Sequence, residues 1–216
     1  QFATPRADRS QHHHSGWGDM NTIPVGVAHP VDAIFSVEGQ CLPRDHAQAL
    51  QQSLCVLFPW LQQDAVAAVM PLKLVDGEGE LVALSKRMQL VLRVQSSRMP
   101  DVLAVAGREV SVAGCKLRLD KPHFRELRPH ATLYAYKVAS AGQGELAFME
   151  SMNQELARLS IGGERVCGKR SQMTVSGQVL ETFSLMLHAL PPDQYVRLQQ
   201  FGLGPHRLWG CGVFVP

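Results

Sequence analysis

Phe201-Gly202-Leu203-Gly204-Pro205-His206-Arg207-Leu208-Trp209-Gly210-Cys211-Gly212-Val213-Phe214 closes the chain, with four glycines and two basic side chains just ahead of an apolar, strand-like end. Glycine has no Cβ and takes positive φ without strain, so such a loop can set backbone N–H groups against an anion. Gly202, Gly204, Gly210 and Gly212, with His206 and Arg207, are therefore candidate anion contacts. The common nucleotide signatures are missing from this stretch. No Gly-Lys-Ser/Thr closes a P-loop, and no helix follows as in a dinucleotide fold. A glycine-rich turn between two elements is the competing reading, and the residues upstream bear on the choice.

Pro191-Pro192-Asp193 opens a short helix that runs into Phe201, and 210–215 supplies a final strand. Before that helix, 166–175 and 179–187 read as two strands around Ser176-Gly177. Residues 145–159 place Met149, Met152, Leu156 and Leu159 on one helical face, and 131–138 is strand-like. The order is β-α-β-β-α-β, the split arrangement of a ferredoxin-like unit.

The first half repeats it. Residues 31–37 form a strand, and Pro43 sits in the first turn of a helix whose Ala47, Leu50, Leu54, Leu57 and Leu61 recur at steps of three and four. Strands over 70–75 and 88–94 flank the turn Asp76-Gly77-Glu78-Gly79-Glu80. A short helix at 100–105 and strands at 110–112 and 115–119 complete the set. The expected architecture is α+β with tandem ferredoxin-like domains, at 23–120 and 131–216. A basic linker at 121–130 joins them. Residues 1–22 are polar and read as a flexible segment; adjacent side chains of His12-His13-His14 point apart and do not make a metal site.

At 216 residues the chain is long enough for two such cores. No apolar run approaches the roughly 20 residues of a membrane helix, and the N-terminal residues do not resemble a signal peptide, so a cytoplasmic location is expected. Five cysteines at irregular spacing, with no C-x-x-C, exclude a disulfide framework and a zinc knuckle and read as small core or turn residues. A net charge of +2 is too small to announce a nucleic-acid binder in bulk. The positive residues are nevertheless clustered, as Lys86-Arg87 with Arg93, as Lys116 to Arg128 including Lys121 and Arg125, and as Arg165 with Lys169-Arg170. Solvated surface charge is the default for any one cluster; together with the glycine loop they suit a phosphate backbone.

Three segments, Leu42-Pro43-Arg44-Asp45-His46, Leu84-Ser85-Lys86-Arg87, and Leu198-Gln199-Gln200-Phe201 running into the terminal glycines, occur in an order that resembles the CRISPR repeat-processing endoribonucleases of the RAMP superfamily, in a compact subtype. The resemblance covers roughly 31–216. It implies tandem ferredoxin-like domains that bind the stem-loop of a CRISPR repeat transcript and cut it without a metal or other cofactor. It also implies a catalytic histidine, His46, at the start of the first helix, and a C-terminal glycine loop that helps form the cleft. Other subunits of a CRISPR effector complex are implied as further partners.

RNA carries its own nucleophile, the 2′-OH, so cutting needs a base, an in-line phosphate and charge stabilisation. His46 suits the first role because an imidazole titrates near pH 6.5. Arg44 and Lys86-Arg87 are both candidates for the last, and the sequence does not choose between them. His206 competes with His46; His123 and His130 lie in the basic linker, and His188 ends an apolar strand. Lys121, Arg125, Arg128, Lys169 and Arg170 are candidate contacts to an RNA stem, whose deep groove is read by shape and phosphate. A non-cleaving RAMP-type RNA-binding subunit is the second reading, and a tandem ferredoxin-like protein with a small anionic ligand the third.

Overall fold

The structure, a computed structural model, describes residues 29–75, 77–140 and 142–216; the expected flexible segment and its three histidines lie outside the described residues. The first half contains β1 (Pro30–Gly39), β2 (Cys41–Pro43), α1 (Ala47–Leu57), β3 (Ala68–Val69), β4 (Leu81–Ala83), β5 (Gln89–Gln95), α2 (Met99–Leu103), β6 (Glu109–Val112), β7 (Cys115–Leu119) and β8 (His123–Glu126). The second contains β9 (Leu133–Ala139), α3 (Glu145–Arg158), β10 (Glu164–Val175), β11 (Gln178–His188) and α4 (Pro192–Phe201).

The first sheet runs β3-β5-β1-β7-β6, with antiparallel neighbours throughout. Counting β3, β5, β1 and β7 alone gives the order of a ferredoxin-like unit, with β6 added as a hairpin. The second sheet runs β10-β11-β9, and Val215 extends it by one antiparallel bridge to Tyr134. The chain therefore has the tandem ferredoxin-like architecture.

Each sheet buries one face under its helices. Leu50 and Leu54 of α1, then Phe58 and Leu61, cover Phe35, Leu90, Leu92, Leu117 and Leu119. In the second half Met152 and Leu156 of α3 lie with Phe148 over Leu133, Phe183, Leu185 and Leu187; the Phe148 and Phe183 rings stack at 4.7 Å. At roughly 1.5–3 kcal/mol per buried large apolar side chain, these two stripes are the main driving force of each half.

Four expectations are corrected. Pro43 does not open α1: it pairs with Leu81 in the short β2–β4 ladder, where an edge position tolerates its missing N–H, and the helix starts at its cap, His46. The strand expected over 70–75 is only Ala68–Val69; Met70 N–H makes the last bond, 2.9 Å to Val91 O, and Pro71 has none to continue the ladder. The basic stretch 121–130 is not a plain linker, because β8 pairs with β1 from Val31↔Glu126 to Ile34↔His123. The last strand shrinks to the Val215 bridge, because Gly210 and Gly212 hold positive φ, which breaks extended pairing.

Arg93 locks the halves together. Its side chain is fully buried; Nε donates to Asp32 Oδ1 at 2.8 Å and Nη2 to Asp32 Oδ2 at 3.2 Å. Nη1 donates across the domain boundary to Gln199 O at 2.9 Å and Phe214 O at 3.0 Å. Arg93 is thus a clamp between domains, and its expected role as an RNA contact is withdrawn because a ligand cannot reach it.

Candidate functional site

His46 stands where the first helix meets the second domain. Its neighbour Ala47 packs against Cys211, Met173, Val175 and Ala139, and Gln48 exchanges two hydrogen bonds with Ser176 at the β10–β11 turn, Nε2 to Oγ at 3.1 Å and Ser176 N to Oε1 at 2.8 Å. His46 as a whole residue is 9% exposed. Nδ1 lies 2.8 Å from Pro43 O, and a carbonyl can only accept, so the proton sits on Nδ1. That tautomer leaves Nε2 as the nitrogen with a free lone pair. Burial pushes the imidazole below its ordinary 6.5; the nearby Lys137 ammonium acts in the same direction, while the backbone carbonyls of Pro43 and Arg44 oppose it. At pH 7 the ring is neutral and able to accept a proton.

Lys137 was invisible as a candidate in the sequence. It lies in β9, its C=O accepts the Gly212 N–H at 2.7 Å, and its charge is felt both by His46 and by the buried thiol of Cys211. An isolated lysine in a strand carries no motif; only the docking of β9 against the α1 N-terminus brings it to the histidine.

Arg44 remains on the surface near His46. Nε donates to Gly79 O at 3.2 Å and Nη1 to Val75 O at 3.5 Å, which ties it to the turn after β3. Lys86 is exposed on the turn before β5.

The glycine loop does something other than cradle an anion. Its N–H groups are taken internally: Gly202 by Leu198 O, Gly210 by Arg207 O, Gly212 by Lys137 O, and Gly204 by Glu155 Oε2 at 3.0 Å. Gly202 and Gly212 pass back to back at φ +62 and +67; a Cβ on Gly202 would overlap Gly212 O, and one on Gly212 would overlap Leu203 O. These glycines allow two backbone segments to cross, so their expected contact with phosphate through free N–H groups is corrected. Arg207 is likewise spent on backbone carbonyls, with Nη1 2.8 Å from Gln200 O and 3.4 Å from Ala65 O, and burial lowers its pKa to about 10. His206 stacks on Trp209 at 4.2 Å, and burial lowers its pKa too.

A groove of about 830 Å³ lies between the domains, away from His46, with Lys73, Arg87, Arg125, Arg128 and His130 on its walls and Tyr136 among its apolar ones. Its acids are Glu126 and Asp32, and Asp32 is already held by Arg93 and, at 3.3 Å, by Arg125. The Lys73 ammonium sits 5.3 Å above the Tyr136 ring. The structure brings Arg87, Arg125 and Arg128 together here and leaves His46, Arg44 and Lys86 outside the lining. Lys121 is exposed beyond it, and Lys169 and Arg170 are exposed on β10, with Arg170 paired to Glu181. Tyr136 and Lys73 were not singled out in the sequence, although a tyrosine on an otherwise apolar strand is a usable signal for a stacking surface.

The family model described as Cas6 Crispr matches residues 31–216. The chain belongs to the Cas6 family. Among curated proteins, the CRISPR-associated endonuclease Cas6 of Myxococcus xanthus is 30% identical over 201 residues, spanning 93% of this chain and 84% of that protein. Among solved structures, a CRISPR-associated protein Cas6 superposes with TM-score 0.62 at 8% identity, covering 88% of this chain and 99% of its own. A Cas6-related protein of Pyrococcus furiosus gives 0.61 at 8% identity, over 88% and 98% of the two chains. At those identities the superpositions speak for the Cas6 fold alone. Among the described residues no helix is long and apolar enough to cross a membrane, and no cluster of three metal-ligating side chains occurs.

Proposed function

We propose that this Cas6 protein is an endoribonuclease that binds the repeat stem-loop of precursor CRISPR RNA and cuts it by attack of a ribose 2′-OH on the adjacent phosphorus. The observation that carries the reading is the His46 tautomer: Nδ1–H is fixed on Pro43 O, so Nε2 is presented as a base at the junction of the two domains. His46 Nε2 removes the 2′-OH proton; the oxygen attacks phosphorus in line, the P–O5′ bond breaks, the departing 5′-oxygen takes a proton from water, and the products are a 2′,3′-cyclic phosphate and a 5′-OH. Lys137, whose charge reaches the imidazole, is the cation that offsets charge developing on the phosphate, and Arg44, two residues before His46 in the chain, is the second candidate. Lys86, beside Arg87 on its turn, extends the positive surface. Family membership and the endonuclease relative at 30% identity support the same reaction class.

The groove lined by Arg87, Arg125 and Arg128 holds the repeat through its phosphates, and Tyr136 offers a face on which an unpaired base stacks. Lys121, between β7 and β8, and Lys169 and Arg170 on β10 add stem contacts. The test is incubation of repeat RNA with saturating protein in EDTA, followed by end-group analysis. Cyclic-phosphate and 5′-OH ends at a single site support the reading, and intact RNA defeats it. The burial of His46 favours one rival, a Cas6-type subunit that grips repeat RNA without cutting, alongside other effector-complex subunits; intact but tightly bound RNA in that assay is its signature.

A further inference from the structure

Five cysteines are all free in this structure, and two of them face each other. The β1–β7 ladder pairs Val37↔Leu119, Glu38↔Arg118 and Gly39↔Leu117. Continued two steps along the same register, it sets Cys41 opposite Cys115. The side chains follow the backbone, with Cys41 Sγ 3.0 Å from Cys115 Sγ although 74 positions separate them in sequence. The β1–β7 ladder itself ends at Gly39, and Cys41 pairs with Ala83 in β2–β4, so it is the contact of the two sulfurs that brings the thiols within reach of a disulfide. Cys41 is half-buried and Cys115 buried.

The other three thiols have no such partner. Cys55 is bonded by the Gln51 amide, and Cys211 lies 3.3 Å from the thioether of Met173, which cannot form a disulfide. Cys167 sits half-buried on β10. The pair has a structural position of consequence, because β2 begins at Cys41 and leads directly into Arg44 and His46, while β7 belongs to the central sheet.

We propose that Cys41 and Cys115 form an oxidisable pair that closes an inter-strand disulfide when a hydroperoxide reaches Cys41, clamping β2 to β7. In the first step the Cys41 thiolate attacks a peroxide oxygen; the O–O bond breaks, the departing oxygen takes a proton, and the sulfur becomes a sulfenic acid. In the second the Cys115 thiolate attacks that sulfur; the S–O bond breaks, water leaves and the S–S bond forms. Two thiols are oxidised by two electrons in all, and one hydroperoxide is reduced, to two waters when it is hydrogen peroxide. Proximity to Cys41 and burial hold the Cys115 thiol above its ordinary range, so closure accelerates as pH rises. Thiol reductants reverse it. The bond ties positions far apart in the chain and so restricts the unfolded state.

The proposal is tested on the full chain with hydrogen peroxide, followed by alkylation under denaturing conditions and intact mass. Five alkylated thiols are expected before treatment and three after it, with a single cross-linked peptide joining 41 to 115, and dithiothreitol restores all five. The thermal midpoint is expected to rise by roughly 5–10 °C on oxidation and to stay put in Cys115→Ser. Retention of five thiols, or loss that maps to Cys55, Cys167 or Cys211, overturns the pairing. A 41–115 link with an unmoved midpoint overturns the clamp. None of these readouts involves RNA, so they stand apart from the enzymatic reading.

Discussion

Replacing Arg93 by methionine tests the clamp between domains. In the folded chain Arg93 makes four hydrogen bonds, two to the Asp32 carboxylate and one each to the Gln199 and Phe214 carbonyls, with both charged partners at most 2% exposed. Methionine fills much of the volume but leaves Asp32 with only the Arg125 contact at 3.3 Å. Removing one member of a buried ion pair costs about 3–5 kcal/mol, because the remaining charge stays buried. Each orphaned carbonyl adds about 1 kcal/mol or more unless water reaches it. A loss of about 5 kcal/mol is a large part of the 5–15 kcal/mol that holds an ordinary protein folded. At 2–4 °C per kcal/mol for a chain of this size, the thermal midpoint should fall by roughly 10–20 °C. Asp32→Leu/Arg93→Met removes both charges and should recover part of that loss. Calorimetry of the parent, the single variant and the double variant reads the effect. A single variant melting within about 2 °C of the parent, a tenth to a fifth of the predicted drop, would refute the reasoning.

Four other outcomes are expected. Burial holds the His46 imidazole below 6.5, so the acidic limb of the pH–rate profile should inflect below that value; an inflection above 6.5 contradicts the buried-base assignment. The same depression makes the unfolded chain bind more protons below pH 6.5, so His46 and His206 together should erode stability as pH falls through 6.5, seen as a falling urea midpoint. Gly212→Ala, at φ +67 and with its new Cβ against Leu203 O, should cost at least about 2 kcal/mol in a urea titration; a neutral result means the crossing of the two segments is not tight. Arg128→Ala, exposed in the groove, should weaken RNA binding and lower the salt slope by nearly one, about 0.7–0.9. An unchanged slope moves the RNA elsewhere.

Helix and strand order were legible because apolar periodicity carries them: Leu50 and Leu54, or Met152 and Leu156, mark a buried face at any contact distance. Arg93 was not. On β5 the residues Leu90, Leu92 and Val94 face the first core, so Val91 and Arg93 read as the solvent side; the second domain covers that side, and a single strand gives no sign of it. The glycine loop misled for a related reason. Glycine is equally suited to an anion and to another backbone, and the partner of Gly212, the carbonyl of Lys137, comes from the far end of the domain. His46 was legible through its segment, whereas Lys137 reaches it only by tertiary docking.

The central claim, that Nε2 of His46 takes the proton from the attacking hydroxyl, is tested most directly by His46→Ala assayed for cutting and for repeat binding in the same EDTA-containing buffer. Kd is expected to stay unchanged while single-turnover cleavage slows by about 10²–10⁴-fold. Cleavage within tenfold of the parent would contradict that claim.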